Sequence, residues 1–331
     1  MAKLPDPVGE RISYLARKDG LIIEKKWVPL GVVSVVYEAR PDVVTDSAGI
    51  CLRTGNALVL CGSRHSFNTD MATVGILKKA LSDNSIDDNC IIYIEDTSHE
   101  TKAFISQQKR NIDLMIIRGG VNCVDSLVSA ATVPYIVAGE GNCHIFIDDS
   151  ADYEMAVDIV TNSKVPRPKA CNAAETILIS STWADKYFKT FAGFLHDNGL
   201  KLYGCENAVK LSDHIIPAEE NHWLHEFFAP SLAVKIVEDV NEAIHHINLY
   251  RTPHTETIIS SNMDNVKLFQ TMVEANVICH NASTRFTDGI EFGLGGEIGI
   301  STQKFSVAGP IGMYGLMYGK YFLHGNGNIR Q

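Results

Sequence analysis

No stretch of this 331-residue chain is apolar for the roughly 18 residues that a membrane span needs. The longest apolar runs, such as residues 30–37, are strand-length. Residues 1–7 carry no apolar run of the kind a secretion signal has, so a cytoplasmic setting is expected. Basic residues are in deficit, 29 Lys and Arg against 39 Asp and Glu. A net charge of -10 argues against nucleic acid and acidic membrane surfaces as partners. The eight cysteines contain no CxxC pair, so reduced thiols are expected rather than a disulfide framework. HExxH is missing as well. The histidine pairs His222/His225 and His245/His246, and the pair Cys279/His280, do not converge on four ligands, so no metal is expected. Internal repeats and low-complexity segments are also absent.

What is present is alternation. Residues 32–37, 57–60, 91–94, 114–117 and 135–137 are short runs rich in Val, Ile and Tyr, bounded by Gly, Pro or Asn, and read as buried strands. Residues 69–81, 96–109 and 121–131 between them have helical periodicity. A second series begins near residue 145. It has strands at 145–147, 176–180, 233–237 and 257–260 and helices at 151–162, 183–197, 241–250 and 265–275. Such βαβ order predicts two α/β domains, each a parallel sheet covered by helices. Glycines 289, 293, 295, 296 and 299 mark a late loop, and residues 320–323 a last strand. Residues 21–27 alternate apolar and charged side chains, which makes them a strand with one wet face. They are a candidate to pair with the C-terminal strand of a neighbouring subunit.

Few positions announce chemistry by type alone. Cys171 follows Val165-Pro166-Arg167-Pro168-Lys169-Ala170 and precedes a strand. Two prolines break regular structure there, and two cations favour a thiolate. By the residues alone, a packed thiol beside a strand is the plainer reading. Cys143 and His144 are strand neighbours that point to opposite faces, so structural roles are expected for both. Arg118-Gly119-Gly120 lies between a strand and a helix, where a phosphate can approach helix N–H groups.

Several segments, taken in order, resemble one family. They are Pro29-Leu30-Gly31-Val32-Val33, Tyr37-Glu38-Ala39-Arg40-Pro41, Gly141-Asn142-Cys143-His144, Arg167-Pro168, Cys171-Asn172-Ala173 and Glu175-Thr176. The most specific are Asn281-Ala282-Ser283-Thr284-Arg285-Phe286-Thr287-Asp288-Gly289 and Glu297-Ile298-Gly299-Ile300-Ser301-Thr302-Gln303-Lys304. Together they resemble the γ-glutamyl phosphate reductases (glutamate-5-semialdehyde dehydrogenases) of the aldehyde dehydrogenase superfamily, over almost the whole chain.

The resemblance implies an aldehyde-dehydrogenase-like α/β fold with a small strand-based oligomerisation element. Residues 1–143, including strand 20–28, would form the cofactor domain, residues 144–316 the catalytic domain, and residues 317–331 an oligomerisation strand. It also implies NADPH-dependent reduction of L-glutamyl 5-phosphate to L-glutamate 5-semialdehyde in proline biosynthesis, by a homo-oligomer, with glutamate 5-kinase a candidate partner. Cys171 becomes the expected nucleophile. Its own N–H and Asn142 are candidate oxyanion donors. Arg64, Gly119, Gly120 and Glu226 are expected at NADPH, with Glu226 on the nicotinamide ribose and Arg64 on the 2′-phosphate. Arg40, Asn281, Ser283 and Arg285 are expected at the substrate.

The chain departs from the family in three places. The resemblance leads one to expect a helical segment of roughly eighty residues ahead of Leu4-Pro5-Asp6-Pro7, a length beyond ordinary scatter, and this sequence starts almost at that point. Cys61-Gly62-Ser63 stands for Arg-Gly-Gly, and Ile117 for proline before Arg118-Gly119-Gly120, while residues 313–318 are less polar. Two competing readings follow. One is a scaffold protein without turnover. The other is a dehydrogenase that oxidises a small aldehyde to its acid, with Glu140 as the base.

Overall fold

The computed structural model describes residues 2–330 apart from 39, 225, 305 and 306, so Ala39 of the motif above and His225 lie outside the described residues. The chain divides into two units. The first comprises residues 1–139, 288–301 and 305–331, and the second residues 140–287 and 302–304. The expected boundary at 143/144 therefore falls at 139/140. Residues 288–301 and 305–316, expected in the catalytic domain, pack with the first unit instead. Their apolar members explain this, since Ile298, Ile311, Met313 and Leu316 complete the core that Val33, Val35, Leu58 and Leu60 begin.

The first unit opens with β1 (Arg11–Ala16), β2 (Ile22–Pro29) and β3 (Val32–Tyr37). It continues with α1 (Asp42–Arg53), β4 (Ala57–Cys61), α2 (Phe67–Asp83), β5 (Ile91–Tyr93), α3 (His99–Ser106), β6 (Leu114–Arg118), α4 (Val121–Ala130) and β7 (Tyr135–Ala138). Strands β3 to β7 form a parallel sheet in the order β5-β4-β3-β6-β7. The order reverses at β3, which therefore lies at the centre. Its sequence, Val-Val-Ser-Val-Val-Tyr, is apolar on both faces as a strand between helical layers must be. Helix α3 begins later than its periodicity suggests, because Ser98 caps it by accepting the Thr101 N–H.

The second unit holds β8 (Cys143–Ile147), α5 (Tyr153–Lys164), β9 (Ala174–Ser180), α6 (Ser181–Asp197), β10 (Lys201–Gly204), α7 (Glu206–Leu211) and β11 (Ile215–Pro217). Then come β12 (Ser231–Val237), α8 (Val240–Tyr250), β13 (Thr255–Ile259), α9 (Met263–Met272) and β14 (Val277–His280). These seven strands are parallel, in the order β11-β10-β12-β9-β8-β13-β14. Strands β8, β9 and β13 are buried along their whole length. Trp183, Phe188 and Phe191 of α6 fill one face of the sheet.

The chain then returns to the first unit. The short pair β15 (Ile300–Ser301) and β16 (Gly309–Pro310) is followed by β17 (Met317–His324). Strand β17 pairs antiparallel with β2 of the same chain, and β1 lies on the other side of β2. The partner expected from a neighbouring subunit is thus supplied internally, through eight residue pairs from Met317↔Pro29 to His324↔Ile22. No helix among the described residues is long and apolar enough to cross a membrane.

Candidate active site

In the second unit, Cys171 sits in the turn between α5 and β9, half-buried. Its peptide is held from several sides. Gly141 approaches so closely that a Cβ there would lie 1.7 Å from the Cys171 carbonyl oxygen. The Cys143 thiol donates to that oxygen at 3.4 Å and lies 3.6 Å from His254 Nδ1. On the other side, Asn172 Nδ2 donates to the Thr287 carbonyl at 2.9 Å, and Thr284 Oγ1 donates to the Asn172 carbonyl at 2.6 Å. Burial pushes the Cys143 thiol well above its ordinary value and the His254 imidazole down to about 4. Both are neutral near pH 7, so Cys143 is a weak donor rather than a second nucleophile.

Behind this turn lies a buried carboxyl cluster. Lys164 Nζ and Glu175 Oε2 are 2.6 Å apart, and that same oxygen accepts the Phe227 N–H at 3.2 Å. Burial pushes Glu175 up to about 7, although Lys164 pulls it back. Glu226, 5% exposed, accepts the Gly141 N–H at 3.3 Å. Burial first, then Glu175 and Glu140, push its carboxyl up to about 8. Folded Glu226 keeps its proton to about pH 8, whereas an ordinary glutamate loses it near 4.5. Its contribution to stability is therefore full below the unfolded value and is lost as the pH rises through 8. Glu226→Gln should flatten the fall in thermal stability between about pH 5 and about pH 8. Melting curves across that range check this, and an unchanged slope would assign the fall to other carboxyls.

In the first unit, Gly119 and Gly120 follow β6 and open α4, as the pattern requires. The position is not empty, because Glu38 Oε2 accepts the Gly120 N–H at 3.2 Å. A phosphate at this helix start must displace that carboxylate. Beside it, at the carboxyl ends of β3, β4 and β5, is a cavity of about 460 Å³. Arg64, His65, His99 and Lys102 line it together with Glu38 and Glu100. Cys61, where the family has arginine, is buried, and burial pushes its thiol up to about 11.

The aldehyde dehydrogenase family model matches residues 7–197. The γ-glutamyl phosphate reductase of Bacillus cereus strain AH187 is 46% identical over 331 residues, which is all of this chain and 80% of the relative. The γ-glutamyl phosphate reductase 1 of Bacillus licheniformis is 45% identical over 330 residues, again 80% of its length. The crystal structure of the Thermotoga maritima γ-glutamyl phosphate reductase superposes with a TM-score of 0.96 at 37% identity, covering 99% of this chain and 80% of the other.

The chain belongs to the γ-glutamyl phosphate reductase family.

Within that family frame, the expected site residues fare unequally. Asn142, expected as an oxyanion donor, gives its Nδ2 hydrogens to the Trp223 and Tyr250 carbonyls at 2.8 and 2.9 Å. That corrects the expectation, since both amide hydrogens hold backbone and none is left for substrate. Asn281, in a left-handed conformation (φ 51), pairs both amide atoms with the Ser260 backbone. Ser283 is buried, 2.9 Å from Ser163 Oγ, and accepts the Arg285 N–H. Both were expected at the substrate, and both instead fix the loop. Arg285 of that loop is half-buried. Arg40 and Arg64 are exposed on the first unit, and Arg40 forms no ion pair among the described residues. The described residues contain no group of three or more His, Cys, Asp or Glu placed to hold a metal.

Sequence reasoning missed His254, Lys164 and Glu256. Glu256 is fully buried and accepts both the backbone N–H of His144 at 2.7 Å and its ring, at 3.1 Å from Nδ1. His254 and Glu256 lie 111 and 112 positions from Cys143 and His144, and the pairing of β13 with β8 brings them together, while Lys164 at the end of α5 meets Glu175 of β9 only 11 positions on.

Proposed function

We propose that this chain reduces L-glutamyl 5-phosphate to L-glutamate 5-semialdehyde with NADPH, releasing phosphate, in proline biosynthesis. The observation that carries the reading is a half-buried Cys171 in a turn pinned at its carbonyl, in a chain 46% identical over its full length to a γ-glutamyl phosphate reductase.

The Cys171 sulfur attacks the acyl carbon. A C–S bond forms as the C–O bond to phosphate breaks, and the phosphate leaves with the thiol proton. Bound NADPH supplies the hydride that reduces the thioester carbonyl. The tetrahedral oxygen is received by the Cys171 N–H, whose peptide Gly141 and Cys143 hold still. The oxyanion then re-forms the C=O bond as the C–S bond breaks, and the departing Cys171 thiolate takes a proton from water, so that aldehyde and free thiol result. Arg285 takes the carboxylate of the amino-acid end, and Arg40 the phosphate. Arg64, Gly119, Gly120 and Glu226 hold the dinucleotide. The polar, cation-rich lining at the carboxyl ends of β3, β4 and β5 suits such a group.

We further read the β1-β2-β17 sheet as the contact with a second copy of the chain. Tyr14, Leu15, Tyr321 and Leu323 are all more than half exposed on it, an apolar load that a lone sheet rarely leaves wet. The protein acts in the cytoplasm, where a kinase supplies the acyl phosphate.

The reverse assay tests the reading. Pyrroline-5-carboxylate, in equilibrium with the semialdehyde, should reduce NADP⁺ only when phosphate is present. Acid formation without phosphate would support aldehyde oxidation with Glu140 as base and overturn the reductase.

A further inference from the structure

The cavity at the carboxyl ends of β3, β4 and β5 is lined by a lysine with no acidic partner among the described residues. Lys102, on α3, is 5% exposed, yet its ammonium makes no ion pair or hydrogen bond among the described residues. Its stem is buried while the residue lines the cavity, where an ammonium favours pairing with an anion. The two acids of the cavity wall do not supply the pair. Glu38 is engaged with the Gly120 N–H at 3.2 Å, and Glu100 lies exposed in the first turn of α3. Arg64, which also lines the cavity, already has Asp96 as an electrostatic neighbour. Lys102 lines the same cavity, together with His65 and His99.

The topology says which part of a dinucleotide belongs there. Strand order reverses at β3, so the crevice between β3 and β6, with Gly119 and Gly120, is the pyrophosphate position. The cavity flanks it on the β4–β5 side. We propose that Lys102 is the specificity residue that recognises the 2′-phosphate of NADPH, closing on it together with Arg64. The proposal rests on NADPH being the reductant. A phosphate monoester offers the charge and the acceptor oxygens that a three-donor ammonium and a guanidinium fork require. NADH lacks that group and would leave Lys102 unpaired.

Direct titration of the full chain with NADPH and with NADH, followed by fluorescence, tests this. Lys102→Met keeps the buried stem and removes the charge. It should weaken NADPH by about 10- to 100-fold and NADH by less than about twofold. Lys102→Arg should regain most of the loss. Adenosine 2′-phosphate should compete with NADPH on the unaltered protein and lose that ability in Lys102→Met. An unchanged NADPH to NADH ratio in Lys102→Met, or equal loss of both, overturns the proposal and leaves the reductase reading standing. Unaltered protein that binds neither nucleotide overturns both.

Discussion

Cys171→Ser should lower the phosphate-dependent reverse rate by at least about 10⁴-fold while the melting temperature stays nearly unchanged. The substitution is nearly isosteric at a half-buried position, so the fold has little reason to respond. The chemistry has every reason. A serine hydroxyl is far less ionised than a thiol, and the nearby His254 imidazole is buried, lowered to about 4 and engaged with Cys143 and Thr255. Cys143→Ser is the contrast. That thiol is buried and its work is one hydrogen bond to the Cys171 carbonyl, which a hydroxyl also provides. A loss of less than about tenfold is expected there. Comparable losses in the two variants would mean the wrong sulfur carries the reaction.

Gly141→Ala should be the second most damaging change, without touching a reacting group. Its new methyl would stand 1.7 Å from the Cys171 carbonyl oxygen and 2.8 Å from the carbonyl carbon. Both are backbone atoms and cannot turn aside as a side-chain tip can, so the turn must move. Displacing a nucleophile by about 1 Å costs on the order of 100-fold in rate, and overpacking costs about 1–3 kcal/mol in stability. Steady-state kinetics and urea unfolding read the two losses separately. Wild-type turnover in this variant would show that the Cys171 peptide needs no fixed seat.

The central strands were legible because buried parallel strands are continuous apolar runs, as in residues 32–37 and 114–117. The strands Lys201–Gly204, Ile215–Pro217 and Val277–His280 were not, being three or four residues long and too short for a period to emerge. Strand Arg11–Ala16 is exposed along its length, so burial left no mark on its sequence. Helix Asp42–Arg53 escaped notice because small residues, Ser47, Ala48 and Cys51, make part of its buried face.

The site divides along the same line. Cys171 and Gly141 stand in motifs that can be read locally. Glu226 could be placed by resemblance alone, and its raised carboxyl follows from neighbours 51 and 86 positions away in the chain, Glu175 and Glu140. Asn142, Asn281 and Ser283 looked like ligands for substrate because polar side chains in a motif do. Their hydrogen-bond partners are backbone atoms and a serine that only the folded chain brings near.

The most direct measurement omits phosphate. Enzyme mixed rapidly with NADP⁺ and pyrroline-5-carboxylate should form a stoichiometric burst of NADPH and stop, with the glutamyl group held on Cys171 and detectable on its peptide by mass spectrometry. Adding phosphate should then release it and start steady turnover. Sustained turnover without phosphate, or an active enzyme whose Cys171 never carries the acyl group, would contradict the thioester.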